Sequence, residues 1–267
     1  VNRRSTVATL LLCGFAGAVP AAEQLRFISC PVFRDVDAGR KSGCWLADDP
    51  ATGLRYDVGN SPTKPDWNHE VLVEGVVAKA QDNACGGIVL DAVRVSILPG
   101  GCTRHMLRHE GFKGRPFVLP ARNTRPLYEK REPPPKPWTD RTFALQFEWD
   151  RHFAVYQLND WEVDQAWQYI SAVQPARVII KGYAATTPTQ VSGRTMAERP
   201  DVARQRAELV AESLRRLGVK PEQLQVEWHT AAEPAPIATA DGLVEPSRRR
   251  AEIHVMLRQQ LTAAPPR

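Results

Sequence analysis

Residues 177–183 (RVIIKGY), the polar run 184–198 and residues 201–218 (DVARQRAELVAESLRRLG) decide how this chain is read. Val178, Ile179 and Ile180 are β-branched and consecutive, which suits a short buried strand. The run from Ala184 to Glu198 is rich in Thr and Ser and reads as a loop. Pro200 and Asp201 then favour a helix start, since proline's missing N–H is no loss there and a carboxylate meets the positive end of the helix. Ala203, Ala207, Val210, Leu214 and Leu217 recur at helical spacing, and Gly218 stands where a helix end wants a left-handed residue.

The same reading extends in both directions. Downstream, Leu224, Val226 and Trp228 alternate, as do Ala251, Ile253, Val255 and Leu257, so two more strands are expected. Upstream, Phe143, Leu145 and Phe147 alternate as a strand. Asn159 followed by Glu162 resembles a capping box ahead of Val163, Ala166, Trp167, Ile170 and Val173, and Gln174-Pro175 stops that helix. The order strand–helix–strand–helix–strand–strand over 140–258 implies an α+β layer with helices on one face of a sheet. Trp161, Trp167 and Trp228 are expected in its core.

Four segments together resemble the OmpA-like C-terminal domain family: Val178 to Tyr183, Ala203 to Val210, Leu217-Gly218-Val219, and Arg248 to Ile253. Family members carry a Gly-His-Thr-Asp turn, an Arg-Ala-x-x-Val helix, a Leu-x-x-x-Gly-Val helix end and an Asn-Arg-Arg-Val-Glu strand. The resemblance covers under half of the chain. It implies a β-α-β-α-β-β domain that binds peptidoglycan non-covalently through the diaminopimelate of the stem peptide. A turn Asp and a helix Arg hold that ligand in the family. Arg206 falls on the helix arginine, and Arg249 and Arg250 fall on the strand pair. Tyr183 stands at the family's His and Ala185 at its binding Asp. Arg248 replaces the Asn, and the loop before Arg206 is longer. A guanidinium in such a turn suits a carboxylate, because it offers two parallel charge-assisted bonds. The competing reading for Arg206 is a surface arginine paired to Glu198 or Glu208. Of Arg249 and Arg250, adjacent on a strand, one is expected to face solvent.

Residues 23–118 read differently. Val71 to Val77 and Val89, Val93, Val95 and Ile97 are strand candidates, with Arg94 and Ser96 alternating outward. Asp48-Asp49-Pro50 and Pro99-Gly100-Gly101 are turns. A small all-β domain, an OB-like barrel or sandwich, is expected. Cys30, Cys44, Cys85 and Cys102 all lie here. An even count in an exported chain points to two disulfides, with three possible connectivities. No Cys-x-x-Cys occurs. Cys13 lies in a separate segment. There Arg3 and Arg4, an apolar stretch from Val7 to Val19, and Ala21-Ala22 read as a signal peptide over 1–22.

The chain carries 35 basic and 30 acidic residues, a net charge of +5. Nine basic residues against three acidic ones fall between Arg104 and Lys136. Prolines 116, 120, 126, 133, 134, 135 and 137 fall in the same stretch. Residues 119–139 are therefore read as an extended basic linker, and 259–267 as a disordered tail. His105 and His109 share a helical spacing but lack a third ligand and a helical frame, so no metal site is expected. No nucleophile motif, acid–base pair or phosphate loop emerges, which argues against an enzyme and against a cofactor. No run of 18 apolar residues crosses the mature chain. The composite expectation is a periplasmic, outer-membrane-associated or free envelope protein of a Gram-negative bacterium. It would bind peptidoglycan through Arg206, Arg249 and Arg250, without nucleic acid. The alternative is a docking module for other envelope proteins that has lost the wall.

Overall fold

The computed structural model describes residues 23–36, 42–117, 132, 134–154 and 156–257. The expected signal peptide 1–22, most of the linker 119–139 and the tail 259–267 lie outside the described residues.

Seven strands build the first unit: β1 Leu25–Ser29, β2 Pro31–Arg34, β3 Cys44–Asp48, β4 Arg55–Asp57, β5 His69–Val77, β6 Ile88–Gly101 and β7 His105–Leu107. Their order in the sheet is β1-β5-β6-β4-β3-β2-β7, with β4–β6 and β2–β7 parallel and the other pairs antiparallel. Only Cys30 separates β1 from β2, although they pair far apart in the sheet, so the sheet curls back on itself. Phe27, Tyr56, Val58, Val71, Val73, Leu90, Val93 and Val95 fill the space enclosed. Two disulfides brace it, Cys30–Cys102 and Cys44–Cys85.

The second unit comprises β8 Arg141–Gln146, α1 Tyr156–Val173, β9 Arg177–Tyr183, the hairpin β10 Thr189–Val191 and β11 Arg194–Met196, α2 Asp201–Arg216, β12 Leu224–His229, α3 Val244–Arg248 and β13 Arg250–Met256. Its main sheet runs β12-β9-β13-β8, with β12 and β9 parallel and the rest antiparallel. Val178 and Ile180 of β9 and Ala251, Ile253 and Val255 of β13 face α1 and α2. They pack there on Ala166, Ile170, Ala207, Val210 and Leu214. The helix stripe read from the sequence is thus the buried face of α2. Gly182 has a steric reason: a Cβ there would lie 1.9 Å from the Ala203 carbonyl oxygen, so only glycine lets α2 close on β9. Gly218, at φ 93°, ends α2, donating its N–H to Arg215 O while the Val219 N–H reaches Leu214 O.

Four expectations change. Helix α1 begins at Tyr156, so Asn159 lies inside it; its amide donates to the Gln146 carbonyl at 3.1 Å, tying the helix to β8 instead of capping it. The polar run 184–198 holds a two-stranded hairpin. Trp228 is 51% exposed because β12 is an edge strand. Arg94 and Ser96 do point away from the first unit's core, yet they are buried, because the second unit covers that face.

Candidate functional site: an arginine seam between the units

The outward face of β1, β5 and β6 follows the strand period of two, and its residues dock on the second unit. Ile28, Leu72 and Leu98 pack against Trp149, Ala185 and Val191. Polar contacts flank this apolar patch. The Ile28 N–H donates to Ser192 Oγ at 3.0 Å and the Trp149 N–H to Ser96 Oγ at 2.9 Å. Arg194 clasps Glu70 through both terminal nitrogens at 2.8 Å, and Arg94 reaches Asp241 at 2.5 Å. This pattern explains why β5 is buried on both faces from Val71 to Gly75: the second unit covers its outward face.

Arg206 sits on α2 just beneath this seam, wholly buried with its partner Glu198. A guanidinium has five N–H donors, and all five are engaged. Nε donates to the Arg151 carbonyl at 2.9 Å. Nη1 donates to the Tyr183 carbonyl at 2.7 Å and to Glu198 Oε2 at 3.0 Å. Nη2 donates to the Glu148 carbonyl at 3.1 Å and to Glu198 Oε1 at 2.6 Å. The carboxylate is equally saturated. Its Oε1 also accepts the Asp150 N–H at 2.7 Å, and its Oε2 the Ala185 N–H at 2.7 Å. Burial pushes the Glu198 carboxyl up, but Arg206, then Arg249 and the Ala185 N–H, pull it further down, so it lies below its ordinary value and stays ionised. Burial lowers Arg206, against the pull of Glu198; an arginine nonetheless keeps its proton.

Arg249 makes the second buried pair, and its partner belongs to the other unit. Its Nη1 donates to Glu74 Oε1 at 3.2 Å, its Nη2 to Glu74 Oε2, and its Nε to the Phe147 carbonyl at 3.4 Å. Arg26 adds a third donor to Glu74 at 3.0 Å. Burial lowers Arg249, but Glu74 and then Glu198 outweigh it and raise it overall. Arg250 points to the opposite side of the sheet. It lies 3.9 Å from the Tyr183 ring centroid and donates to Glu252 at 2.6 Å. Glu252 in turn accepts Tyr183 Oη at 3.2 Å and contacts His254 Nε2 at 2.9 Å.

The three arginines singled out from the sequence therefore lie near one another but on two sides of a sheet, and none faces solvent. Arg249 and Arg250 take opposite sides, as expected, but the one expected to face solvent does not: the first unit covers Arg249 and Tyr183 covers Arg250. Ala185, at the family's Asp position, lies in the apolar seam, where a carboxylate would be stranded. Glu198 is the partner named for Arg206, though as a buried group and not a surface one. Glu74 and Trp149 were missed. Glu74 did carry a signal: a charged residue inside the run VLVEGVV demands a buried partner. His105 is exposed, and no group of three or more His, Cys, Asp or Glu among the described residues is arranged to hold a metal ion. The four cysteines pair within the first unit, 30 with 102 and 44 with 85.

No family model matches the sequence, and no curated protein matches it. Among solved structures, the OmpA-like domain of FopA1 from Francisella tularensis aligns at 18% identity over 43% of this chain and 71% of that one, with a TM-score of 0.35. The peptidoglycan-associated lipoprotein from Burkholderia pseudomallei aligns at 20% identity over 42% and 87%, with a TM-score of 0.31. The cell wall anchor of the type VI secretion system (T6SS) from Pseudomonas aeruginosa aligns at 17% identity over 45% and 82%, with a TM-score of 0.33. Over about 43% of its length the chain is similar in structure to OmpA-like domains.

Proposed function

We propose that this chain is an exported, non-enzymatic cell-envelope protein whose OmpA-like unit serves as a docking module for other envelope proteins, with its wall-binding pocket closed. One observation carries this reading: every donor of Arg206 and every acceptor position of Glu198 is already used inside the protein. A stem-peptide carboxylate would find no free N–H on that guanidinium. Two disulfides suit an oxidising compartment such as the periplasm. No helix among the described residues is long and apolar enough to cross a membrane. The first unit's strand circuit supports an OB-like barrel, a fold whose exposed face often serves binding.

The second reading is peptidoglycan binding through Arg206, Arg249 and Arg250. It is favoured by the ion pair across the seam, since Arg249 is held by a carboxylate from the other unit and becomes available if the units part. Sedimentation with purified sacculi separates the two. The docking reading expects the wild-type chain to stay in the supernatant at low and moderate salt. Retention lost in Arg206→Ala would establish the wall reading in its place.

A further inference from the structure

Strand β7 ends the first sheet, and its outer side is open: among the described residues no strand pairs with it there. The opposite end, β1, is closed by the second unit, whose Ser192 accepts the Ile28 N–H. Residues of a parallel pair alternate in the direction their backbone groups face. Phe33 pairs in register with Met106, and the Asp35 N–H donates to the Leu107 carbonyl. Leu107 and His105 therefore turn their groups to β2, and Met106 turns its N–H and C=O to the open side. The edge is also fixed in place, because Cys30, just before β2, is bonded to Cys102, which leads into β7.

The side chains add an apolar centre with a cation at each end. Met106, Phe33 and Trp45 form one row across β7, β2 and β3 by register. Trp67, from the loop before β5, joins them, its ring 4.7 Å from Phe33 and 5.2 Å from Trp45. Phe33 lies against Gly43, where a Cβ would come 2.1 Å from the ring. The rings are thus set before any ligand arrives, which favours binding. Met106 is 56% exposed. Arg104 and Arg108, one residue beyond each end of β7, fall on the side of Met106 by the strand period, and both are exposed. Arg104 lies 5.7 Å over the Trp67 ring, and its Nε donates to Asn68 at 3.0 Å. We propose that this edge is a docking site for an extended acidic segment of another protein, added as a strand beside β7. The backbone of that segment pairs with Met106, and an apolar side chain seats on Met106 and Phe33. Carboxylates two residues to either side meet Arg104 and Arg108. Charge selects this occupant, since a second copy paired here would bring arginine against arginine. An edge that only resisted pairing would carry its charge at the centre, where this one presents a methionine. The site belongs to the first unit and does not depend on whether the pocket at Arg206 is closed.

The test uses a fluorescein-labelled peptide, Thr-Glu-Val-Phe-Val-Glu-Thr with blocked ends, titrated with the full chain and read by anisotropy. It should bind, and its counterpart with Lys in place of Glu should bind about tenfold more weakly. N-methylation of Val, Phe and Val should also weaken it about tenfold, because it removes the backbone donors that a strand needs. Arg104→Glu/Arg108→Glu should reverse the preference between the acidic and the basic peptide. No binding of the acidic peptide, equal binding of the two, or indifference to N-methylation overturns the proposal. So does an unreversed preference in the double variant when its near-ultraviolet circular dichroism matches that of the wild type. Should that variant not fold, Arg108→Ala should narrow the preference, and an unchanged preference there overturns the site. The unliganded chain should sediment as a monomer. A dimer that Met106→Asp splits gives the edge to a second copy and overturns the proposal too.

Discussion

The two buried arginine–glutamate pairs differ in where their partners come from. Arg206 and Glu198 are eight residues apart and belong to one unit. Arg249 and Glu74 are 175 residues apart and bridge the two units. The first pair lies inside the second unit, with both partners supplied by that unit. The second exists only while the units are docked. A local pair tunes a site, whereas a distant pair couples two bodies.

The largest expected effect tests the local pair. Arg206→Ala strands the Glu198 carboxylate and frees three backbone carbonyls, which should cost about 5 kcal/mol in urea unfolding, at the high end for a broken buried pair. Its transition should remain single, because the damage lies within one unit. The distant pair comes next. Arg249→Ala leaves Glu74 with Arg26, a surviving partner, so a loss of about 3 kcal/mol is expected. Here the sharper observable is shape: separate transitions for the two units, only the first shifted by reductant, since both disulfides lie there. A single, unchanged transition would show that the apolar patch alone couples the units.

The smallest effect concerns Arg250, which makes no contact with the seam. Burial pushes the Glu252 carboxyl up, but His254 and Arg250 pull it down to about 2, from an ordinary value of 4.5. A carboxyl lowered on folding adds stability above its unfolded value, and that contribution drains away as pH falls from about 4.5 towards 2. Glu252→Gln should lower stability at neutral pH, leave it nearly unchanged near pH 2, and so flatten the acid limb between them. Urea titrations at stepped pH check this. Equal acid limbs in both proteins would show that Glu252 and its partners add no pH-dependent stability.

Much of the second unit was legible because its signals are local. The Val178-Ile179-Ile180 run, the Ala203-to-Leu217 stripe and Gly218 each express backbone preference or one-sided burial within a few residues. Asn159 misled for the same reason. Its polar side chain reads as a cap, but a carbonyl from β8 claimed it inside the helix. Arg94 and Ser96 misled because alternation tells which side of a strand a residue takes and not what covers that side.

The sequence alone determined the order of the four main strands and two long helices of 140–258, the even cysteine set and the arginines worth following. Tertiary structure decided which cysteines pair, that Glu198 and Glu74 are the carboxylates those arginines hold, and that the face bearing them is closed. The physical reason is range. Periodicity and turn chemistry act between neighbours along the chain, whereas a buried charge is settled by whichever opposite charge folding brings to it.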